Sequence, residues 1–179
     1  DNSSGFGSKF TNPSTLPAST GYGVKFSPDG GVVAIAHNTT PFISVYPWSD
    51  STGFGSKFAD PSTLGTNGRD VDFSPDGTVL VFVGTGVPRI NAYPWNNSTG
   101  FGARYADPST TPNACYGVAF SPDGSLVAVA HALSPFISVY PWNNVSGFGN
   151  KYSNPSTLPA STGNGVAWSA DGRFLFVGH

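Results

Sequence analysis

One feature constrains this chain more than any other: it repeats itself every 47 residues or so. The phenylalanine of a Gly-Phe-Gly motif falls at Phe6, Phe54, Phe101 and Phe148, in steps of 48, 47 and 47. Ser-Pro-Asp-Gly begins at Ser27, Ser74 and Ser121 and returns as Ser169-Ala170-Asp171-Gly172. Tyr-Pro-Trp ends at Trp48, Trp95 and Trp142. Three motifs marching in step mark a repeat architecture, in which each unit buries its apolar faces only against its neighbours. The repeats run approximately over 1–48, 49–95, 96–142 and an incomplete 143–179, read as a single segment 1–179.

Within one repeat the periodicity is that of strands. Gly23-Val24-Lys25-Phe26 alternates in the manner of a first strand. Ser27-Pro28-Asp29-Gly30 supplies turn chemistry: proline fixes φ, aspartate caps with its side chain, glycine accepts positive φ. Residues 32–36 form an apolar run suited to a strand covered on both faces. Phe42-Ile43-Ser44-Val45-Tyr46 is a third strand with apolar residues on both faces, and Pro47-Trp48 ends it. A shorter outer strand is expected near 54–58, where glycine and a nearby proline fit an edge position. The expected fold is all-β: propeller blades of four antiparallel strands, about four repeats with one strand missing. The last repeat stops at His179, the counterpart of His131, so the equivalent of residues 132–142 is missing. With no methionine, the chain reads as a processed product, a window cut from a longer array, or one partner in an assembly.

The run Val24-Lys25-Phe26-Ser27-Pro28-Asp29-Gly30, the following Val33-Ala34-Ile35-Ala36 and the third strand ending in Trp48 resemble the WD-repeat β-propeller family and related bacterial propellers of about 47 residues per repeat. The resemblance implies a ring of four to eight blades. It departs from the family at the absent Gly-His pair and at Ser49, where the family has Asp after Trp, so the family's hydrogen-bonded network does not transfer.

Composition narrows the function classes. Only 10% of residues are charged and the formal balance is −2, which leaves no electrostatic footprint for nucleic acid. The 14% aromatic content argues against disorder. No apolar run approaches the ~20 residues of a membrane-spanning helix. A lone cysteine, Cys115, rules out an internal disulfide and reads as a small inert core residue.

Several recurring residues invite a functional reading. Trp48, Trp95 and Trp142, with Tyr46, Tyr93 and Tyr140, could stack on sugars; packing between blades serves a repeated aromatic equally well. His37, His131 and His179 occupy one repeat position, filled by Gly84 in the second repeat; they are weak metal candidates, against a plain role in bonding a loop. Lys9, Lys57, Arg104 and Lys151 form a basic row on the outer strand, where Asp60 and Asp107 stand three residues on and could pair with them. Asn2, Asn38, Asn96, Asn97 and Asn144 open glycosylation sequons. The second repeat differs most, through Arg69, Asp70, Asp72 and Arg89; a specialised site would sit there, although drift accounts for the differences as well.

No nucleophile elbow, phosphate loop or carboxylate pair near a histidine is visible. These observations lead to the expectation of a non-enzymatic surface module for glycan or protein binding and structural display, extracellular, on a cell surface or on a virion. The alternatives are a self-assembling subunit of a fibre, shell or virion, and an intracellular WD-repeat scaffold. No cofactor is expected. The expected partners are other copies of the chain, or missing repeats, that complete the ring; glycans or proteins are further ones, with no nucleic acid and no membrane span.

Overall fold

A computed structural model describes residues 5–179 and shows an all-β chain with sheets arranged like blades. Blade 1 holds β1 (Gly21–Phe26), β2 (Val32–His37), β3 (Ile43–Ser49) and β4 (Gly53–Phe54). Blade 2 holds β5 (Gly68–Phe73), β6 (Val79–Gly84), β7 (Ile90–Asn96) and β8 (Gly100–Phe101). Blade 3 holds β9 (Cys115–Phe120), β10 (Leu126–His131), β11 (Ile137–Asn143) and β12 (Gly147–Phe148). The fourth repeat contributes two strands, β13 (Gly165–Trp168) and β14 (Leu175–Gly178). Within each blade, strands pair antiparallel in chain order.

The Ser-Pro-Asp-Gly turns behave as their residues dictate. Ser27 Oγ donates to Asp29 Oδ1 at 2.5 Å and accepts from the Val32 amide at 3.0 Å, while Gly30 takes φ +73°. The same bonds recur around Ser74, Ser121 and Ser169. The first strand starts at Gly21, two residues earlier than alternation alone predicts, because a bulge between Gly21 and Gly23 interrupts the alternation. The outer strand is shorter than the expected 54–58: β4 ends at Phe54, and beyond it only the Gly55 amide, to Pro47 O, and the Phe58 amide, to Val45 O, tie the segment to β3.

From there the chain crosses to the next blade. Phe58 packs edge-on against Trp95 at 5.0 Å, and the Tyr93 hydroxyl donates to Thr63 O at 2.5 Å. Phe10–Trp48 with Tyr46–Thr15, and Tyr105–Trp142 with Tyr140–Thr110, repeat this pattern. Each connector therefore finishes the blade that follows it.

The cores lie between blades. Val32, Ala34, Ala36, Ile43 and Val45 of blade 1 meet Val71, Phe73, Phe82, Tyr93 and Trp95 of blade 2. Val79, Val81, Val83, Ile90 and Ala92 then meet Val118, Phe120, Tyr140 and Trp142 of blade 3. Each blade thus has a leading and a trailing apolar face. The first strands lie close together: a Cβ on Gly23 would lie 2.6 Å from Asp70 Cα, so only glycine fits there.

Candidate functional site

The strands β1, β5, β9 and β13 border a cavity of about 340 Å³ lined by Val24, Lys25, Asp70, Asp72, Val118 and Trp168 among others. Its charged residues stand at two positions of the first strand that vary between repeats. Asp70 replaces Gly23 and Gly117, and Asp72 stands where blades 1 and 3 have Lys25 and Ala119.

Asp72 ties three blades together. Its Oδ1 accepts from the Phe73 amide at 2.9 Å and pairs with Lys25 Nζ of blade 1 at 3.0 Å; its Oδ2 accepts from the Phe120 amide of blade 3 at 2.8 Å. Asp70 acts alike, accepting from Val71 at 2.9 Å and from Val118 of blade 3 at 3.0 Å. Burial pushes both carboxyls above the ordinary carboxylate range, outweighing the amides and Lys25, which pull the other way. The Lys25 side chain stays half exposed beside the buried Asp72.

At the start of the same strands, the Arg69 guanidinium lies 4.2 Å from the ring centroid of Tyr22 and 5.9 Å from that of Tyr116. These three residues hold equivalent positions in blades 1, 2 and 3. Arg89 approaches the same end of blade 2, where the Gly84 amide donates to its carbonyl. The Nε atoms of Arg69 and Arg89 are buried without a hydrogen-bond partner. The cavity offers two buried carboxylates and, beside them, a half-exposed ammonium able to face an oxyanion. A larger groove, about 600 Å³, lies at the turn end near Asp76, Asp123, Trp142 and Asn144. Its polar groups satisfy one another: Ser74 and Asn144 donate to Asp76, and Ser121 and Ser125 to Asp123. The smaller cavity differs in setting buried carboxylates beside a half-exposed ammonium.

Asp70 and Asp72, two of the residues by which the second repeat differs, line this cavity; the recurring residues singled out by sequence lie elsewhere. Tyr46, Tyr93 and Tyr140 are fully buried between blades. Trp95 and Trp142 are buried and Trp48 is half-buried, each flanked by edge-on rings. His37 and His131 are buried, with Nε2 3.0 Å from the hydroxyls of Ser44 and Ser138, while His179 is exposed at the last residue. Burial lowers the pKa of His37 and His131. Among the described residues no three His, Cys, Asp or Glu side chains group as a metal site. Asn38, Asn96, Asn97 and Asn144 are exposed; Asn2 lies outside the described residues. Lys57 pairs with Asp60 and Arg104 with Asp107 on the outer strands. Burial pushes the Cys115 thiol up to about 12, so it is no nucleophile at neutral pH.

Comparison with known proteins bears on the fold. No protein-family model and no curated protein matches the sequence. Solved structures do match. A periplasmic gluconolactonase from Pseudomonas aeruginosa superposes with a TM-score of 0.67 at 20% identity, over 87% of this chain and 48% of that one. A Bacteroides uniformis protein assigned as a 6-phosphogluconolactonase gives 0.68 at 16%, over 96% and 51%. Kuenenia stuttgartiensis hydrazine synthase gives 0.66 at 14%, over 93% and 45%. At these identities the likeness establishes the propeller fold, and the chain spans about half the length of the structures it matches.

The comparisons correct the expectation of a non-enzymatic binding and display module, its alternatives included. The three structures described, which share the fold, are named as enzymes, one as a gluconolactonase and one as a 6-phosphogluconolactonase. Among the described residues no helix is long and apolar enough to cross a membrane.

Proposed function

We propose that this chain carries the site of a propeller hydrolase that opens lactones of polyhydroxy acids. The observation carrying the reading is the convergence of Lys25, Asp70 and Asp72 on one cavity, in a chain with only 8 Lys and Arg and 10 Asp and Glu. The lactonase names of structural neighbours support the substrate class.

Each carboxylate oxygen accepts two hydrogen bonds, so Asp72 Oδ2, bonded to the Phe120 amide, keeps a position for a water. Asp72 draws a proton from that water as its oxygen adds to the lactone carbonyl. Lys25 faces the oxyanion that forms, and its positive charge favours that state over the neutral ester. Collapse breaks the ring C–O bond, and the proton on Asp72 passes to the departing alkoxide. The sum is lactone plus water giving a hydroxy acid. A location outside the cytoplasm goes with this reading, supported by the periplasmic neighbour and the exposed Asn38, Asn96, Asn97 and Asn144 sequons.

The test is acid release from glucono-δ-lactone in a pH-stat, corrected for spontaneous opening. Lys25→Met should lower kcat/KM by about 10²-fold, the scale of a lost oxyanion partner, with circular dichroism unchanged. A folded wild-type chain that adds nothing to the spontaneous rate on gluconolactone or 6-phosphogluconolactone sinks the reading.

A further inference from the structure

The second blade departs from its neighbours at one end as well as along the cavity. Where blades 1 and 3 carry His37 and His131, blade 2 carries Gly84. Where they carry Phe42 and Phe136 it carries Arg89, and where they carry Tyr22 and Tyr116 it carries Arg69. Gly84 draws these changes together. It pairs with Gly68, the residue before Arg69, and its amide donates to Arg89 O at 2.9 Å. A Cβ on Gly84 would collide with Thr66 O. Thr66, Arg69 and Arg89 are thereby gathered at one end of blade 2.

Three polar groups are left over at that end. Among the described residues, five buried side-chain polar atoms have no hydrogen-bond partner, and three of them are Thr66 Oγ1, Arg69 Nε and Arg89 Nε. The other two are the equivalent Nδ1 atoms of His37 and His131. Buried polar groups are nearly always satisfied, so a concentration of exceptions points to a group from outside the chain. Charge points the same way. Among the described residues the ion pairs use Lys25, Lys57 and Arg104, and neither Arg69 nor Arg89 forms one. Two unpaired guanidiniums at one end of a blade disfavour each other unless an anion joins them.

The Arg69 guanidinium is positioned in advance. It lies over the Tyr22 ring of blade 1, 4.2 Å from the centroid, and 5.9 Å from the centroid of the Tyr116 ring of blade 3. Stacking uses the faces of the planar group and leaves its N–H fork for a ligand. Arg89 bears on the same neighbour: burial pushes the Cys115 thiol up, and the Arg89 charge draws it part of the way back. Cys115 and Tyr116 open β9, so both arginine charges act at the start of that strand.

We propose that Thr66, Arg69 and Arg89 form a binding site for the phosphoryl group of a phosphomonoester. Two guanidiniums match a doubly charged group, whose three oxygens can accept from both forks and from the Thr66 hydroxyl. A carboxylate brings one charge and two oxygens, which a single fork already meets. None of the three residues lines the cavity at Asp70 and Asp72, so the site stands independently of hydrolysis.

The test is an NMR titration of the isotope-labelled 179-residue chain with glucose 6-phosphate and with inorganic phosphate, at constant ionic strength. Amide resonances of residues 66–69, 84–89 and 115–116 should shift saturably. Arg69→Gln and Arg89→Gln should each weaken binding by about tenfold or more, the scale of one hydrogen bond to a charged group, and acetate should bind about tenfold more weakly than phosphate. Arg69→Lys keeps the charge without the fork and should fall between Arg69→Gln and the wild type. Should a variant fail to fold, the wild-type shifts and the acetate comparison decide. No saturable shift, shifts centred on Lys25 and Asp72 instead, unchanged affinity in folded arginine variants, or acetate binding as tightly as phosphate overturns the proposal. Binding of the free ion without the ester overturns the assignment to a phosphomonoester. Phosphate binding without lactone hydrolysis refutes only the catalytic reading, and hydrolysis without phosphate binding only this site.

Discussion

Replacing Asp72 by asparagine keeps the shape of the side chain and removes its ability to serve three blades. The carboxylate accepts from the Phe73 and Phe120 amides, at 2.9 and 2.8 Å, and pairs with Lys25 at 3.0 Å. Asparagine has one acceptor oxygen, so one backbone N–H must face an NH₂ donor. A hydrogen bond to a charged group contributes ~1.5–3 kcal/mol, and a neutral one ~1. One such bond is lost and the other weakened, which amounts to about 3–4 kcal/mol. The half-exposed Lys25 pair adds at most ~1 kcal/mol. Relief from burying a charge offsets part of this, since the raised carboxyl pKa shows that burial already strains the ionised form. The net expectation is a loss of about 3 kcal/mol. With a urea slope near ~2 kcal/mol per M, the unfolding midpoint falls by about 1.5 M. A midpoint shift below ~0.3 M at unchanged slope would show that Asp72 does not couple the blades.

Three further outcomes follow from the geometry. Gly117→Ala puts a Cβ 2.8 Å from the Gly165 Cα, a backbone atom that cannot step aside, and should cost ~1–3 kcal/mol; Gly165→Ala meets nothing within 4 Å and should cost less than ~1 kcal/mol in the same urea titration. Tyr140→Phe removes the hydroxyl that donates to Thr110 O at 2.7 Å, and calorimetry should register a loss of ~1–2 kcal/mol. Burial pushes the Asp76 carboxyl up, but bonds from Ser74, Thr78 and Asn144 outweigh it and hold it at about 2, where bonds from Ser121 and Ser125 also hold Asp123. A lowered folded-state pKa means stability that is present above 3.8 and lost as pH falls towards 2, so Tm should drop in that window and drop less in Asp123→Asn.

The fold was legible because each blade repeats the same local chemistry. Ser27, Asp29 and Gly30 announced their turn, and the apolar run at 32–36 announced a strand covered twice. The packing role of the tyrosines was one of two open readings, and the structure seats Tyr46, Tyr93 and Tyr140 between blades with their hydroxyls tied to the connectors. The candidate site was harder to see. Asp70 and Asp72 lie far in sequence from Lys25 and from the amides of Val118 and Phe120, and only radial stacking brings β1, β5 and β9 side by side. A signal existed in the replacement of Gly23 and Gly117 by Asp70, since a charge on the first strand of a repeat points at the channel. The bulge after Gly21, and the crossing of each connector to the following blade, arise from packing that no local pattern encodes.

The most direct test is the pH profile of protein-dependent kcat/KM for gluconolactone, with the spontaneous rate subtracted. If Asp72 is the base, the rate rises with pH along a limb whose apparent pKa lies above the ordinary carboxylate value of 3.8, because burial raises that carboxyl. A folded chain with no protein-dependent rate at any pH, or a profile flat across that limb, contradicts the account.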